Sequence, residues 1–182
     1  MRQLFRSILA ALSIACLAAS FGTLTSDALA QGGPPPLKQI ALTQQQVDNV
    51  LAAAKEMEAI TQTLPPNAPP NAQAVARLTA VAKKHGFASY ADYETVVGNI
   101  SLVMDGLDPK TRKYIGSEAA LKAQIEMVKA NTQMSAEQKK QALANLNMAL
   151  QAKEPEVQNK GNIDLVIKNY DKLDVALGEQ PH

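Results

Sequence analysis

Apolar residues recur at three- and four-residue steps in six stretches of this chain, and no stretch sustains the alternation of a strand. Thr43 opens the first stretch, with Gln46 placed to complete a capping box, and Val47, Val50, Leu51, Ala54, Met57, Ile60 and Leu64 form one stripe. A second stretch starts near Asn71, carries Val75, Leu78, Val81 and Ala82, and stops at Gly86, a residue suited to the left-handed position after a helix. Ser89 and Asp92 open a third, whose face is Tyr93, Val96, Val97, Ile100, Val103, Met104 and Leu107.

The later elements follow the same logic. Asp108-Pro109 has the form of a cap followed by a first-turn proline, with a short helical turn expected through Tyr114. Ser117 is expected to cap a segment whose face is Leu121, Ile125 and Val128. Ser135 and Gln138 repeat the capping box ahead of Leu143, Leu146 and Leu150. After Pro155 and a break at Gly161-Asn162, a last stripe of Ile163, Val166, Ile167, Tyr170, Leu173 and Leu177 ends at Gly178.

These elements predict an all-α protein, a single antiparallel helical bundle of about five to six helices. The prolines mark its joints, since an interior proline removes a backbone donor and clashes with the preceding turn. The helical domain is expected over residues 42–178, with a proline-rich linker at 65–70 and a tail at 179–182.

The first thirty residues follow another pattern. Arg2 and Arg6 precede an uncharged apolar stretch from Ile8 to Leu24, which closes at Ala28-Leu29-Ala30, the layout of a secretory signal peptide. Cleavage is expected near Ala30-Gln31, followed by a flexible Gly/Pro-rich leader over residues 31–41. A retained membrane anchor is the rival reading, and the basic start and small-residue exit favour cleavage over it. Lipidation at Cys16 is a second rival. Ala15 suits it, but Ser13 stands where a lipobox carries leucine, so Cys16 reads as an apolar residue of the signal core. The protein is therefore expected in the periplasm or outside the cell, meeting membrane only through its signal peptide.

Export changes the charge balance. Of 18 Lys and Arg and 17 Asp and Glu, the signal peptide takes Arg2, Arg6 and Asp27, leaving 16 of each. Neutrality argues against nonspecific nucleic-acid binding, which needs clustered cations to neutralise phosphates. Without Cys16 the exported chain has no cysteine, so an ordinary hydrophobic core must hold it together.

Candidate chemistry is sparse. With only His85 and His182, a zinc site lacks ligands, and His85 reads as a helix-end residue favoured by the dipole. Asp105 and Asp108 are paired acids at a helix boundary, where capping and solvation account for them. Ser89, Ser117 and Ser135 read as caps, none with a histidine nearby to make it a nucleophile. Glu56 and Glu58 fall on opposite sides of their helix. Met57, Met104, Met127, Met134 and Met148 read as core fillers before they read as an adaptable client surface. No catalytic residue, cofactor or metal is called for.

Leu42-Thr43-Gln44-Gln45-Gln46 resembles the LTxxQ motif of the small periplasmic Spy-type chaperones, and the stretch from Met134 to Gln141, with Ser135 and Gln138, resembles a second copy. The resemblance implies an exported all-helical protein that cradles unfolded clients on a concave surface without ATP. It assigns the motif positions Leu42, Thr43, Gln46, Met134, Ser135 and Gln138. The neutral charge departs from the basic cradle of that family, and the middle of the chain, Leu64 to Asn131, has no counterpart in it. Gly86–Tyr90 and Gly161–Val166 are also similar to segments of small exported bacterial proteins.

The leading functional expectation is a non-enzymatic helical protein that binds a protein client or an envelope component through an apolar groove, with an ATP-independent chaperone as its sharper form. A small-ligand-binding bundle is the alternative. An all-helical secreted enzyme, working through Arg77, Lys83, Lys84 and Arg112, ranks third.

Overall fold

The computed structural model describes residues 37–65, 70–152 and 154–178. The expected signal peptide with Cys16, the first part of the leader, the centre of the proline linker and the tail lie outside them. Among the described residues six helices follow in order: α1 (Gln44–Thr61), α2 (Ala72–Lys84), α3 (Tyr90–Asp105), α4 (Ser117–Ala130), α5 (Ala136–Ala152) and α6 (Gly161–Leu177). The fold is all-α, and among the described residues the nearest approach to sheet is one isolated antiparallel bridge between Leu107 and Tyr114.

Local chemistry sets most of the helix ends. Thr43 adopts an extended conformation at the N-cap of α1; its Oγ1 accepts from the Gln46 N–H (3.2 Å), and Gln46 Oε1 accepts from the Thr43 N–H (2.9 Å). Asn71 and Ser89 cap α2 and α3 by accepting from the backbone N–H groups of Ala74 and Asp92. At the end of α2 the chain turns at Gly86 (φ +87°). There the Phe87 N–H returns to the Ala82 carbonyl and the Gly86 N–H to the Lys83 carbonyl, a Schellman closure. Ser135 and Gln138 form the second capping box, through Gln138 N–H to Ser135 Oγ (3.2 Å) and Ser135 N–H to Gln138 Oε1 (2.9 Å).

Four expectations change. Gly116 (φ +87°), not Ser117, stands at the N-cap of α4, so Ser117 is the first helical residue and its hydroxyl is free to hydrogen-bond Glu154. Residues 108–114 form a closed loop in place of a helical turn. Asp108 Oδ1 accepts from the N–H groups of Lys110 and Thr111, and the Asp108 N–H donates to the Lys113 carbonyl, which draws the chain back on itself. Gly161 and Asn162 lie inside the first turn of α6 and do not break the chain before it. The inward stripe of α6 is Asn162, Val166, Asn169 and Leu173, while Ile167 is exposed.

Helices α1, α2, α3 and α6 pack on one another around the main core. Val47, Val50 and Met57 of α1 meet Leu78 of α2, Val96, Ile100 and Val103 of α3, and Val166 and Leu173 of α6. Phe87 stands edge-on to Tyr93 with centroids 5.3 Å apart, closing the α2–α3 corner. Helices α4 and α5 form a hairpin with a core of its own, Leu121, Ile125, Val128 and Leu146, flanked by half-buried Met134, Leu143 and Leu150. Only α4 of this hairpin touches the four-helix bundle, through α3.

Candidate functional site: a groove that holds an extended segment

The segment ahead of α1, Leu37 to Leu42, is not free leader. It lies across α3 and α6, and two buried asparagines grip its backbone. From α3, Asn99 Oδ1 accepts from the Ile40 N–H (3.0 Å), while its Nδ2 donates to the Lys38 carbonyl (2.9 Å) and to the Thr95 carbonyl one turn back (2.8 Å). From α6, Asn162 Oδ1 accepts from the Leu42 N–H (2.8 Å) and its Nδ2 donates to the Ile40 carbonyl (2.8 Å).

The order of these contacts carries the geometry. In an extended chain the N–H and C=O groups of every second residue point to the same edge. Residues 38, 40 and 42 supply all four backbone groups, so the two side-chain amides line one edge of the segment as a neighbouring strand would. A carboxamide suits this place, because it offers a donor and an acceptor side by side and carries no charge to desolvate.

Asn99 is 1% exposed and Asn162 is 4% exposed, and a buried amide is costly unless both ends are bonded. Here they are satisfied. Asn169, two turns beyond Asn162 on α6, exchanges hydrogen bonds with Gln44 (3.3 Å each way), extending the row of amides to the first residue of α1.

Side chains fix the register. Leu37, Ile40 and Leu42 pack half-buried on the main core. Gly98 makes the seat for Leu37: a Cβ there would lie 2.8 Å from Leu37 Cδ1. Gln39 reads backbone in the other direction, donating from Nε2 to the Glu156 carbonyl (2.8 Å) and accepting on Oε1 from the Gln158 N–H (2.8 Å). Apolar side chains and one glutamine therefore specify how the segment lies, and the asparagines hold it whatever its side chains are.

Of the positions singled out from the sequence, Leu42 donates to Asn162 in this groove, and Thr43 and Gln46 form the cap of α1 that follows it. Met134, Ser135 and Gln138 stand at the start of α5, which does not touch α1. The two motif copies therefore do not converge. Asn99, Asn162 and Asn169 were missed, because a stripe traced through apolar residues steps around them. Their signal is positional: Asn162, Val166, Asn169 and Leu173 recur at steps of four, three and four, a helix face in which asparagine replaces an aliphatic residue.

Of the other polar groups, Asp108 acts as a cap and His85 ends a helix, as expected, whereas Asp105 is half-buried where solvation was expected. Asp105 and Asp108 do not act as a pair. Asp108 caps its own loop, and the Thr111 and Lys110 N–H groups hold its carboxyl below the usual range. Asp105, half-buried at the end of α3, is pushed up to about 7 by burial and then by the like charge of Glu154. Burial also raises Glu154, against a hydrogen bond from Ser117 that lowers it. His85 sits at the end of α2, as expected, and its Nε2 lies 3.0 Å from Glu56 Oε1, which also takes the Lys84 ammonium at 2.8 Å. These contacts hold the Glu56 carboxyl below its ordinary value, Lys84 contributing most. Arg112 lies 4.6 Å above the Tyr170 ring and pairs with Asp171, tying the 108–114 loop to α6. Met57 fills the main core, whereas Met148 of α5 is exposed.

Among the described residues, no three His, Cys, Asp or Glu side chains gather as metal ligands, and no helix is long and apolar enough to cross a membrane. In comparison with known proteins, no family model, no curated protein and no solved structure matches this chain.

Proposed function

We propose that this chain is an exported, non-enzymatic helical protein that binds unstructured segments of other proteins or of an envelope component, and that it works as a chaperone without ATP. One observation carries the reading: a groove between two helices of the bundle accommodates an extended stretch of polypeptide. Main-chain recognition by side-chain amides tolerates many sequences, and apolar seats add affinity for the residues an unfolded protein exposes. That combination fits a binder of varied clients better than a site for one small ligand. The basic, apolar, small-residue order of residues 1–30 supports the envelope as its place of work. The LTxxQ-like start of α1 agrees with the reading, since Leu42, whose N–H is held by Asn162 in the groove, immediately precedes the Thr43 cap.

The test is aggregation. A client diluted from guanidinium should scatter less light in the presence of an equimolar amount of the chain from Gln31 onward, with no nucleotide added. A range of clients aggregating at undiminished rates would remove the chaperone reading.

A further inference from the structure

We infer that residues 37–42 occupy the α3–α6 groove as a ligand in cis, and that the groove accepts in their place an extended segment of a partner protein with the spacing Leu-x-Gln-Ile-x-Leu. The inference rests on the proposed binding role and goes beyond it by naming the ligand's register and its competitor.

Three features distinguish a docked ligand from a structural element here. First, α3 and α6 pack directly on each other, so the helices that form the groove have contacts of their own besides those the segment makes to both. Second, the segment is more loosely buried than what it covers. Leu37, Ile40 and Leu42 are half-buried and Lys38 and Ala41 exposed, whereas Asn99 and Asn162 beneath them are almost completely enclosed. Third, its backbone contacts at residues 38, 40 and 42 all go to side-chain amides. When the segment leaves, those amides meet water, which replaces both of their hydrogen bonds at little net cost.

The ligand's chemistry follows from the seats. Positions 37, 40 and 42 call for aliphatic side chains, the first against the bare backbone of Gly98. Position 39 calls for glutamine, whose carboxamide matches the Glu156 carbonyl and the Gln158 N–H together. Positions 38 and 41 face solvent and are unrestricted. A proline at 40 or 42 is excluded, because each of those N–H groups is donated.

The experiment uses the chain from Gln31 onward and a fluorescent peptide of residues 37–43, read by anisotropy. A competitor already in the groove weakens apparent affinity by the fraction of time the groove is free. The doubly substituted chain Gln39→Ala/Ile40→Ala, with its own segment loosened, should therefore bind the peptide at least about tenfold more tightly than the unaltered chain. Adding Asn99→Ala and Asn162→Ala should undo that gain, and a peptide carrying Ile40→Asp should fail to bind. No peptide binding to a loosened chain that keeps its helical circular dichroism and cooperative melt would overturn the inference.

Should the loosened chain not fold, hydrogen exchange of the unaltered chain decides. The Ile40 and Leu42 amides should exchange through a local opening, faster than the Val50 and Ile100 amides, and exchange of all four at one common rate would overturn it. Peptide binding without suppression of client aggregation would remove the chaperone reading and leave this one standing; the reverse result would remove this one alone.

Discussion

Asn99 and Asn162 meet at a single residue: the N–H of Ile40 goes to one and its carbonyl to the other. Each asparagine gives up water when the segment docks over it, and its bonds to the segment backbone replace that water, while Asn99 also keeps its bond to the Thr95 carbonyl. Removing either should cost about 1–3 kcal/mol, because the backbone partner left behind is partly buried and unpaired. The two losses should not add. Once one substitution loosens the segment, the second asparagine has already lost its partners, so the double variant Asn99→Ala/Asn162→Ala should cost less than the two single variants together. A coupling of about 0.5–3 kcal/mol is expected from urea melts of the four chains. Strict additivity would show that the asparagines act separately, the Asn99 bond to Thr95 then carrying more than its bonds to the segment.

Where elements join, the polar contacts decide how the parts hold together. The end of α3 meets the connection between α5 and α6 through Asp105 and Glu154, two acids whose carboxyls are both raised by burial. An acid whose folded pKa lies above its unfolded value binds more protons folded than unfolded between the two, so stability falls as pH rises through that window. For Asp105 the window runs from its ordinary 3.8 to about 7. The chain should therefore melt at a higher temperature near pH 5 than near pH 8, with a slope from this group of at most about 1.4 kcal/mol per pH unit. Asp105→Asn should flatten that dependence, and an unchanged slope would acquit Asp105. At this scale the sequence was legible wherever a single short stretch carried the cause: Thr43 with Gln46, Ser135 with Gln138, and the turn at Gly86 each end a helix through neighbours a few residues away. It was illegible where the partner is distant. Nothing near Asp105 announces Glu154, and nothing near Asn162 announces Ile40, more than a hundred residues earlier. The start of α4 was misread for a different reason: Ser117 resembles a cap, but the positive φ of Gly116 takes that position and leaves the serine for Glu154.

At the scale of the molecule, the described residues form two hydrophobic centres of unequal support. The bundle of α1, α2, α3 and α6 encloses its core from several sides, whereas α5 buries only Leu146 completely and, among the helices, touches α4 alone. A helix held along one face, with Leu143 and Leu150 half-buried and Met148 exposed, should open at a lower free energy than the bundle, since opening it exposes fewer apolar contacts. Leu146 is the pivot of that hairpin. Its truncation, Leu146→Ala, removes the one fully enclosed side chain of α5 and should cost about 2–5 kcal/mol within the hairpin. If the two centres are energetically separable, amide exchange in α4 and α5 will accelerate in this variant while the Val50 and Ile100 amides keep their protection, and peptide binding at the α3–α6 groove will be unchanged. Equal acceleration throughout would mean that the α3–α4 contact couples the centres into one cooperative unit. The groove would then lose its segment together with the hairpin, and the second capping box at Ser135 and Gln138 would influence the groove from a helix that never touches α1.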